Sequence, residues 1–283
     1  MNGSPRVLLL GASGLLGHQL LQSLPEAFST VAVSGRGVAS GTDSRVQWLS
    51  ARMDAAEPAS IDAILDAARA GVIVNATGAA PRSDAATMTH VNTRFPRALA
   101  VAAAARGARV VQISTDGVFS GLRGGYGESD APDPVDDYGR SKLGGELEGP
   151  HLTIRTSFFG RSPRGTGLIE WLASQRGQTV DGFTDYRFSG IAASLLAGFI
   201  ASAIGRALSG LYHVGGDPVT KYELLRAASR VLDLDVTVRP SSGGVAVDRT
   251  LDSHRFFEAV DHSRPTVTES LKALTSCGAL LRS

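Results

Sequence analysis

Cysteine is almost absent from this sequence, since Cys277 is the only one among 283 residues. A single cysteine forms neither an internal disulfide nor a cysteine cluster for zinc, which favours a reducing compartment such as the cytoplasm. The six histidines are scattered without the spacing of metal ligands, so we expect no metal site.

Excess charge and long apolar runs are missing as well. The formal net charge is only +1, which gives no electrostatic reason to expect nucleic acid or an anionic membrane as a partner. The uncharged stretch at residues 191–205 is shorter than the roughly 20 residues of a membrane-spanning helix. We therefore expect no membrane segment, and a small molecule is the expected partner.

The chain instead contains short apolar runs that alternate with segments of helical spacing. The runs have the length of buried strands and occupy residues 6–10, 30–33, 46–49, 72–76 and 109–114. Helical spacing of leucine or alanine is found at residues 15–24, 61–70 and 91–106. This alternation predicts an α/β fold, a Rossmann-type doubly wound parallel sheet that binds ligands at the carboxyl ends of its strands.

The alternation becomes less regular in the second half of the chain, where a smaller lobe is expected. Strands are predicted at residues 152–155 and 211–214, and helices at residues 167–176 and 191–208. A further helix is expected to begin at Thr220, because Glu223 completes a capping box, and a last helix follows Thr266.

A glycine cluster, Gly11-Ala-Ser-Gly-Leu-Leu-Gly17, lies between the first predicted strand and the first predicted helix. In this context glycines let the backbone approach a pyrophosphate, and the helix N-terminus stabilises its charge. A tight turn without a ligand is the alternative, but the strand and helix units that follow favour dinucleotide binding. The residues expected at the cofactor are Gly11, Ser13, Gly14, Leu15, Leu16 and Gly17.

The second predicted strand lacks the acidic residue that NAD enzymes use to hold the adenosine ribose. Residues 27–42 contain neither Asp nor Glu, and the strand ends in Ser34-Gly35-Arg36. A hydroxyl and a guanidinium suit a 2′-phosphate, which predicts NADP(H); a solvent-exposed Arg36 is the alternative. Asp54 is a further candidate contact to the adenine edge, or simply a carboxylate that precedes a helix.

Tyr138 and Lys142 are four residues apart, on one face of a predicted helix. A free tyrosine titrates near 10, and lowering that pKa to about 7 requires roughly 4 kcal/mol of preferential phenolate stabilisation. We expect Lys142, helped by the charge of an oxidised nicotinamide, to lower the pKa of Tyr138 toward this value. Thr115, at the carboxyl end of the fifth strand, is expected to donate to a substrate carbonyl oxygen, with a strand-end cap as the alternative.

Together these motifs resemble the dTDP-4-dehydrorhamnose reductase branch of the extended short-chain dehydrogenases. The resemblance includes the glycine loop and residues 114–121, 138–146, 154–157 and 210–215, and so covers nearly the whole chain. It implies that Thr115, Tyr138 and Lys142 form the catalytic set. Further implied cofactor contacts, beyond Tyr138 and Lys142 themselves, are Asn75, Ala76, Thr77, Gly78 and Asn92.

The resemblance also implies a division of the chain. Residues 1–150 are expected to form the NADP-binding Rossmann domain. Residues 151–283 are expected to form mainly the lobe for a sugar nucleotide, with some segments returning to the core.

Several positions depart from the pattern of that family. Gly117 stands where tyrosine is common, Phe158 and Phe159 replace an aromatic pair that contains tryptophan, and residues 182–190 replace a glutamine-rich loop. The exact sugar therefore stays open. The expected substrate-binding residues are Asp116, Gly117, Phe158, Phe159, Arg187 and Arg249. For Arg187 and Arg249, gripping the diphosphate and forming a surface or interlobe ion pair are equal alternatives.

The resulting hypothesis is an oxidoreductase that uses NADPH to reduce carbon 4 of a 4-keto-6-deoxyhexose nucleotide while Tyr138 protonates the product. A 4,6-dehydratase would carry a glutamate where this chain has Gly117, and a 4-epimerase should prefer an acidic ribose contact. A non-catalytic NADP-binding regulatory subunit also stays open, because one such subunit resembles this same branch. The oligomeric state is open too, with a homodimer as one candidate.

Overall fold

A computed structural model describes residues 4–34 and 44–276. Its strands are β1 (Val7–Leu10), β2 (Thr30–Ser34), β3 (Val46–Ser50), β4 (Val72–Asn75), β5 (Arg109–Ile113), β6 (Leu152–Phe159), β7 (Thr179–Phe183), β8 (Tyr186–Phe188), β9 (Gly190–Ala192), β10 (Gly210–Val214), β11 (Val219–Thr220), β12 (Thr237–Ser241) and β13 (Val247–Arg249).

The helices lie between these strands and after the last of them. They are α1 (Leu15–Ala27), α2 (Pro58–Ala68), α3 (Ala85–Met88), α4 (Phe95–Ala104), α5 (Asp137–Gly144), α6 (Leu168–Ala173), α7 (Ala193–Gly205), α8 (Lys221–Val231), α9 (His254–Val260) and α10 (Val267–Ser276).

The central sheet has the order β3-β2-β1-β4-β5-β6-β10, and β9 pairs with the end of β6. All of these pairs are parallel. Alternate residues of β1 serve opposite faces: Val7 and Leu9 pack with α1, α7 and α9, whereas Leu8 and Leu10 pack with α2 and α4. Helices therefore cover both faces, which confirms the predicted doubly wound α/β fold.

Two predicted helices differ from the observed elements. The helix expected at residues 91–106 is the last part of a longer helical segment, in which the π-helical turn Thr89–Arg94 joins α3 to α4. The helix expected at residues 191–208 begins later, because Gly190–Ala192 is a strand that adds to β6. Apolar periodicity does not separate a short buried strand from the helix that follows it.

The second half of the chain contains small sheets that the sequence pattern does not reveal. β11, β8 and β13 form one, and β12 pairs with β7 in another. These strands are two to five residues long and partly exposed, and β12 includes Pro240. Such segments are too short for a clear period of two.

A separate apolar cluster lies among these small sheets, α6, α8 and α10, and includes Phe188, Leu224 and Leu271. β6, α7 and β10 belong instead to the central sheet and its cover. The role of residues 151–283 in binding a sugar nucleotide stays a prediction. Within the described parts of the chain, no helix combines the length and apolarity needed to cross a bilayer.

Candidate active site at the carboxyl ends of the central strands

The glycine turn after β1 leaves no room for side chains on its inner side. Gly11 has a φ of +82°, and a Cβ there would lie 2.7 Å from the carbonyl carbon of Ala76 and 2.8 Å from the amide nitrogen of Thr77. A Cβ at Gly17 would overlap the carbonyl oxygen of Gly11. The turn thus lies directly against the end of β4, and the backbone forms a cradle suited to a pyrophosphate.

Two buried amides organise the segment that follows β4. Asn75 accepts hydrogen bonds from the amide nitrogen of Thr77 at 3.2 Å and from its hydroxyl at 2.6 Å. Asn92 accepts from the amide of Ala79 at 2.8 Å and donates to Ser141 Oγ at 3.0 Å. The amides therefore connect residues 75–79 to α5, so they position this segment.

Lys142 is buried on α5 and donates a 2.5 Å hydrogen bond to the carbonyl oxygen of Ile113 at the end of β5. Burial lowers the pKa of Lys142 to about 8, and the charge of Glu146 opposes this change. Glu146 accepts from Ser114 Oγ at 2.7 Å and forms two 2.8 Å hydrogen bonds with Arg155. The buried Glu146–Arg155 pair was missed from sequence, although Glu146 belongs to the motif that contains Lys142.

Tyr138 lies one turn earlier on α5, which Asp136 caps by accepting from the amide of Gly139 at 2.7 Å. Burial raises the pKa of Tyr138 to about 12, the charge of Asp116 adds to this, and a hydrogen bond with Thr115 opposes it. The expected lowering by Lys142 is wrong for this structure. Its ammonium is held at Ile113, whereas the carboxylate of Asp116 acts on the phenol.

Thr115 follows β5, and its hydroxyl forms the strand-end cap considered for it. Its hydroxyl accepts from the amide of Gly117 at 3.1 Å and so caps the short 3-10 turn Asp116–Val118. The same hydroxyl donates to Asp116 at 3.2 Å and contacts the phenol of Tyr138. A threonine that caps the strand end therefore also lies beside the tyrosine.

Asp116 is a buried carboxyl group next to the Thr115–Tyr138 pair. Burial raises its pKa to about 6, and the charge of Arg249 opposes this most strongly. A Cβ at Gly117 would lie 3.3 Å from Thr115 Oγ1 and 3.7 Å from Arg249 Nη1. The guanidinium of Arg249 thus borders the space where the resembling family commonly has a tyrosine side chain.

Arg249 is supported by the small sheet of β8 and β13. Its guanidinium is hydrogen-bonded to the phenol of Tyr186, and the ammonium of Lys221 lies 3.7 Å from the centre of that ring. Arg249 Nε is buried and has no hydrogen-bond partner in the described structure. This cluster places two cations and a second phenol beside the Thr115–Tyr138 pair.

The RmlD substrate binding domain family matches residues 5–249 of the chain. This chain belongs to that family. It is 31% identical to a probable dTDP-4,6-dihydroxy-2-methyloxan-3-one 4-ketoreductase of Streptomyces antibioticus, over 84% of this chain and 81% of the relative. It is 29% identical to a dTDP-4-dehydrorhamnose reductase of Streptomyces griseus, over 97% and 95% of the two chains. The resemblance inferred from the motifs is confirmed.

A solved structure of the RmlD type has the same architecture. The dTDP-4-dehydrorhamnose reductase of Bacillus anthracis, determined in complex with NADP, superposes with a TM-score of 0.80 at 24% identity. The match covers 97% of this chain and all of that chain. The glycine turn and the carboxyl ends of β4 and β5 therefore belong to a shared fold.

Other predicted contacts of this RmlD-type chain lie elsewhere or outside the described residues. Asp54 accepts from the amide of Ala56 at 2.9 Å and pairs with His90 at 2.8 Å, as a carboxylate that precedes a helix does. Ser34 ends β2, but Arg36 lies outside the described residues. The 2′-phosphate contact therefore stays a prediction.

The remaining substrate-binding candidates have different surroundings. Arg187 is half exposed and lies 3.4 Å from Asp248, so it forms the surface ion pair considered as its alternative. Phe159 is buried in the second apolar cluster, whereas Phe158 is 37% exposed at the end of β6. Residues 4–34 and 44–276 contain no group of three side chains suited to a metal ion.

Proposed function

We propose that this protein is an NADPH-dependent reductase of the 4-keto group of a nucleotide-linked 6-deoxyhexose. The observation that carries the proposal is the meeting of Thr115, Tyr138 and Lys142 at the end of β5, on the sheet edge where the glycine turn follows β1 two strands away. The relatives support it, because their names describe reductases of dTDP-linked keto sugars.

The cofactor assigned to the site is NADP(H), which supplies the hydride for carbon 4 when bound. The turn at Gly11 and Gly17 packs backbone against backbone and opens the N-terminus of α1, which has no side-chain cap, and this combination suits a pyrophosphate. Residues 75–78 are positioned at its edge by Asn75 and Asn92, and Lys142 is the proposed ribose contact.

Tyr138 is the proposed proton donor to the developing alkoxide. Burial and the charge of Asp116 raise the pKa of Tyr138, so the phenol carries its proton at neutral pH. Thr115 is the group proposed to orient the carbonyl oxygen, since its hydroxyl is hydrogen-bonded to the phenol that would protonate that oxygen. Asp116 accepts a hydrogen bond from Thr115, and its negative charge lies near the phenol of Tyr138. This charge disfavours ionisation of the phenol before the substrate is reduced.

Arg249 is the proposed contact to the sugar nucleotide, and Arg187 is excluded from that role in the proposal. The reason is their placement: Arg249 borders the space at Gly117, and Arg187 pairs with Asp248 at the surface. Phe158 is the more accessible ring of its pair and the proposed contact to the substrate. A sugar nucleotide is thus the proposed partner, and the cytoplasm is the proposed compartment.

The test is NADPH consumption with a panel of 4-keto sugar nucleotides, with identification of the reduced sugar. Turnover that yields the 4-hydroxy sugar supports the proposal. NADPH binding without turnover on any member would contradict it and favour a regulatory NADP-binding protein.

Arg249→Met should lower kcat/KM by roughly tenfold or more, since a charged hydrogen bond is lost. The matched Arg187→Met variant should stay within about twofold, as exposed pairs contribute little.

A further inference from the structure

The loop between β6 and α6 carries an arginine over the glycine turn. Arg164 Nη2 donates to Ser13 Oγ at 2.7 Å, although the two residues are 151 positions apart in sequence. No salt bridge of residues 4–34 and 44–276 involves Arg164, in contrast to Arg161, which lies 3.2 Å from Glu170. The Arg164 cation therefore rests on a neutral hydroxyl within the proposed cofactor cradle.

Contacts at both ends direct this loop toward the turn. A Cβ at Gly160 would lie 3.7 Å from Leu15, the first residue of α1, so the loop begins against that helix. Further along, Glu170 of α6 accepts from the amide of Ser162 at 3.0 Å. The loop then turns at Gly165, whose amide donates to the carbonyl of Ser162 at 3.0 Å and whose φ is +63°.

The place where Arg164 rests favours an anion on a second ground. α1 has Gly14 as its N-cap, with no side chain bound to its first amides and no acidic residue in its first turn. Its uncapped amides and its dipole therefore present positive potential at the glycine turn. A guanidinium added to that end of the helix supplies forked donors with the geometry that phosphate oxygens prefer.

We propose that Arg164 binds the pyrophosphate of the dinucleotide and holds the β6–α6 loop over the glycine turn. This inference rests on the proposed NADP(H) site, but it does not depend on which sugar is reduced. It assigns a cofactor contact to the second half of the chain, so that binding of the dinucleotide joins the two halves.

The test measures binding without turnover, using two adenosine 2′-phosphate ligands, of which only one carries a 5′-pyrophosphate with its terminal ribose. 2′-Phospho-ADP-ribose contains it, whereas adenosine 2′-monophosphate lacks it. Titration calorimetry at low and high salt compares the wild type, Arg164→Met and the control Arg206→Met. Arg206 is an exposed arginine that follows Gly205, the last residue of α7, whose Cβ position lies 3.9 Å from Phe28 just after the C-terminal end of α1. Each variant removes one positive charge.

Arg164→Met should raise the Kd of 2′-phospho-ADP-ribose by roughly tenfold at low salt, and by less at high salt, because screening weakens exposed charge pairs. The Kd of adenosine 2′-monophosphate should change by less than about twofold. An unchanged Kd for 2′-phospho-ADP-ribose, an equal loss for both ligands, or an equal loss in Arg206→Met would each overturn the assignment. Absence of sugar reduction would contradict only the proposed function.

Discussion

At the scale of single residues, Tyr138 shows how burial and charge act on one phenol. Its pKa is raised to about 12, first by burial and then by the charge of Asp116. The hydroxyl therefore keeps its proton at neutral pH and has Thr115 as its neighbour. The protonated phenol of Tyr138 thus lies beside the hydroxyl of Thr115, at the edge of the sheet where Rossmann folds bind their ligands.

Tyr138→Phe should lower kcat by roughly 100-fold to 10,000-fold, because it removes the proposed proton donor and keeps the ring. The Kd of NADPH should change by less than about threefold, since the aromatic body remains. Stopped-flow reduction and fluorescence titration measure the two quantities. Tyr222→Phe, which removes a hydroxyl hydrogen-bonded to Arg226 on α8, is the matched control. Near-normal turnover of Tyr138→Phe would mean that another group protonates the product.

Asp116 should make stability depend on pH in the acidic range. Its pKa is about 6 in the folded protein, against 3.8 for an ordinary aspartate. Between these values the folded chain binds more protons than the unfolded chain, so stability falls as pH rises from about 4 to about 6. The total loss of folding stability from ionising Asp116 is about 3 kcal/mol, and the protein remains destabilised by this amount at neutral pH.

Asp116→Asn should remove that part of the pH dependence, because the amide does not ionise. Relative to the wild type, the variant should gain stability when the pH changes from about 4 to about 7. Urea unfolding at both pH values provides the measurement. A wild-type stability that rises across this interval by the same amount as the variant's would show that Asp116 ionises normally.

At the scale of elements, the first turn of α5 packs directly on the turn that follows Thr115. A Cβ at Gly139 would overlap the carbonyl oxygen of Gly117 and lie 2.9 Å from Pro134. Only glycine permits this approach, and Tyr138 is the preceding residue. The packing of α5 therefore decides the distance between the phenol and Thr115.

Gly139→Ala should displace α5 and lower kcat by at least about tenfold, since small misplacements of catalytic groups have large effects on rate. Gly198→Ala is the comparison variant, and it should stabilise the protein without affecting kcat. Gly198 lies inside α7 with open space around its Cβ position, so alanine should add about 0.5–1 kcal/mol of stability. Thermal unfolding and steady-state kinetics test both variants. Unchanged kcat in a folded Gly139→Ala protein would contradict the close approach.

At the scale of the whole molecule, the central sheet connects the two halves of the chain. α1 and α7 pack together on one face, although they belong to different halves. β6 and β10 extend the same sheet from the second half, while α6, α8 and α10 enclose an apolar cluster of their own. A dinucleotide at the carboxyl edge is therefore expected to stabilise the entire fold.

NADPH should raise the melting temperature more than NADH at equal concentration, because residues 27–42 carry no carboxylate for an unphosphorylated ribose and Arg36 suits a phosphate. A ligand at 100 times its Kd adds about 2.7 kcal/mol of stability. Thermal shift titrations with both cofactors provide the comparison. Equal shifts, or an Arg36→Ala variant with unchanged NADPH affinity, would contradict the selectivity.

The central strands and the helix that carries Tyr138 and Lys142 were accessible from sequence because their signals are local. Apolar runs such as residues 72–76 and the four-residue spacing of Tyr138 and Lys142 need no knowledge of distant residues. The capping box of Thr220 and Glu223 is equally local and is observed. The small sheets were missed because strands of two to five residues carry no usable period.

The sequence alone thus determined the succession of the central strands and their main helices, the glycine turn and the residues available for chemistry. Tertiary structure decided what surrounds them. It placed Lys142 against Ile113 and Asp116 near Tyr138, which reversed the expected direction of the phenol's pKa. It also brought Arg249 to Gly117 and Arg164 to Ser13. Burial and contacts between distant segments control such charges, and these depend on packing rather than on spacing along the chain.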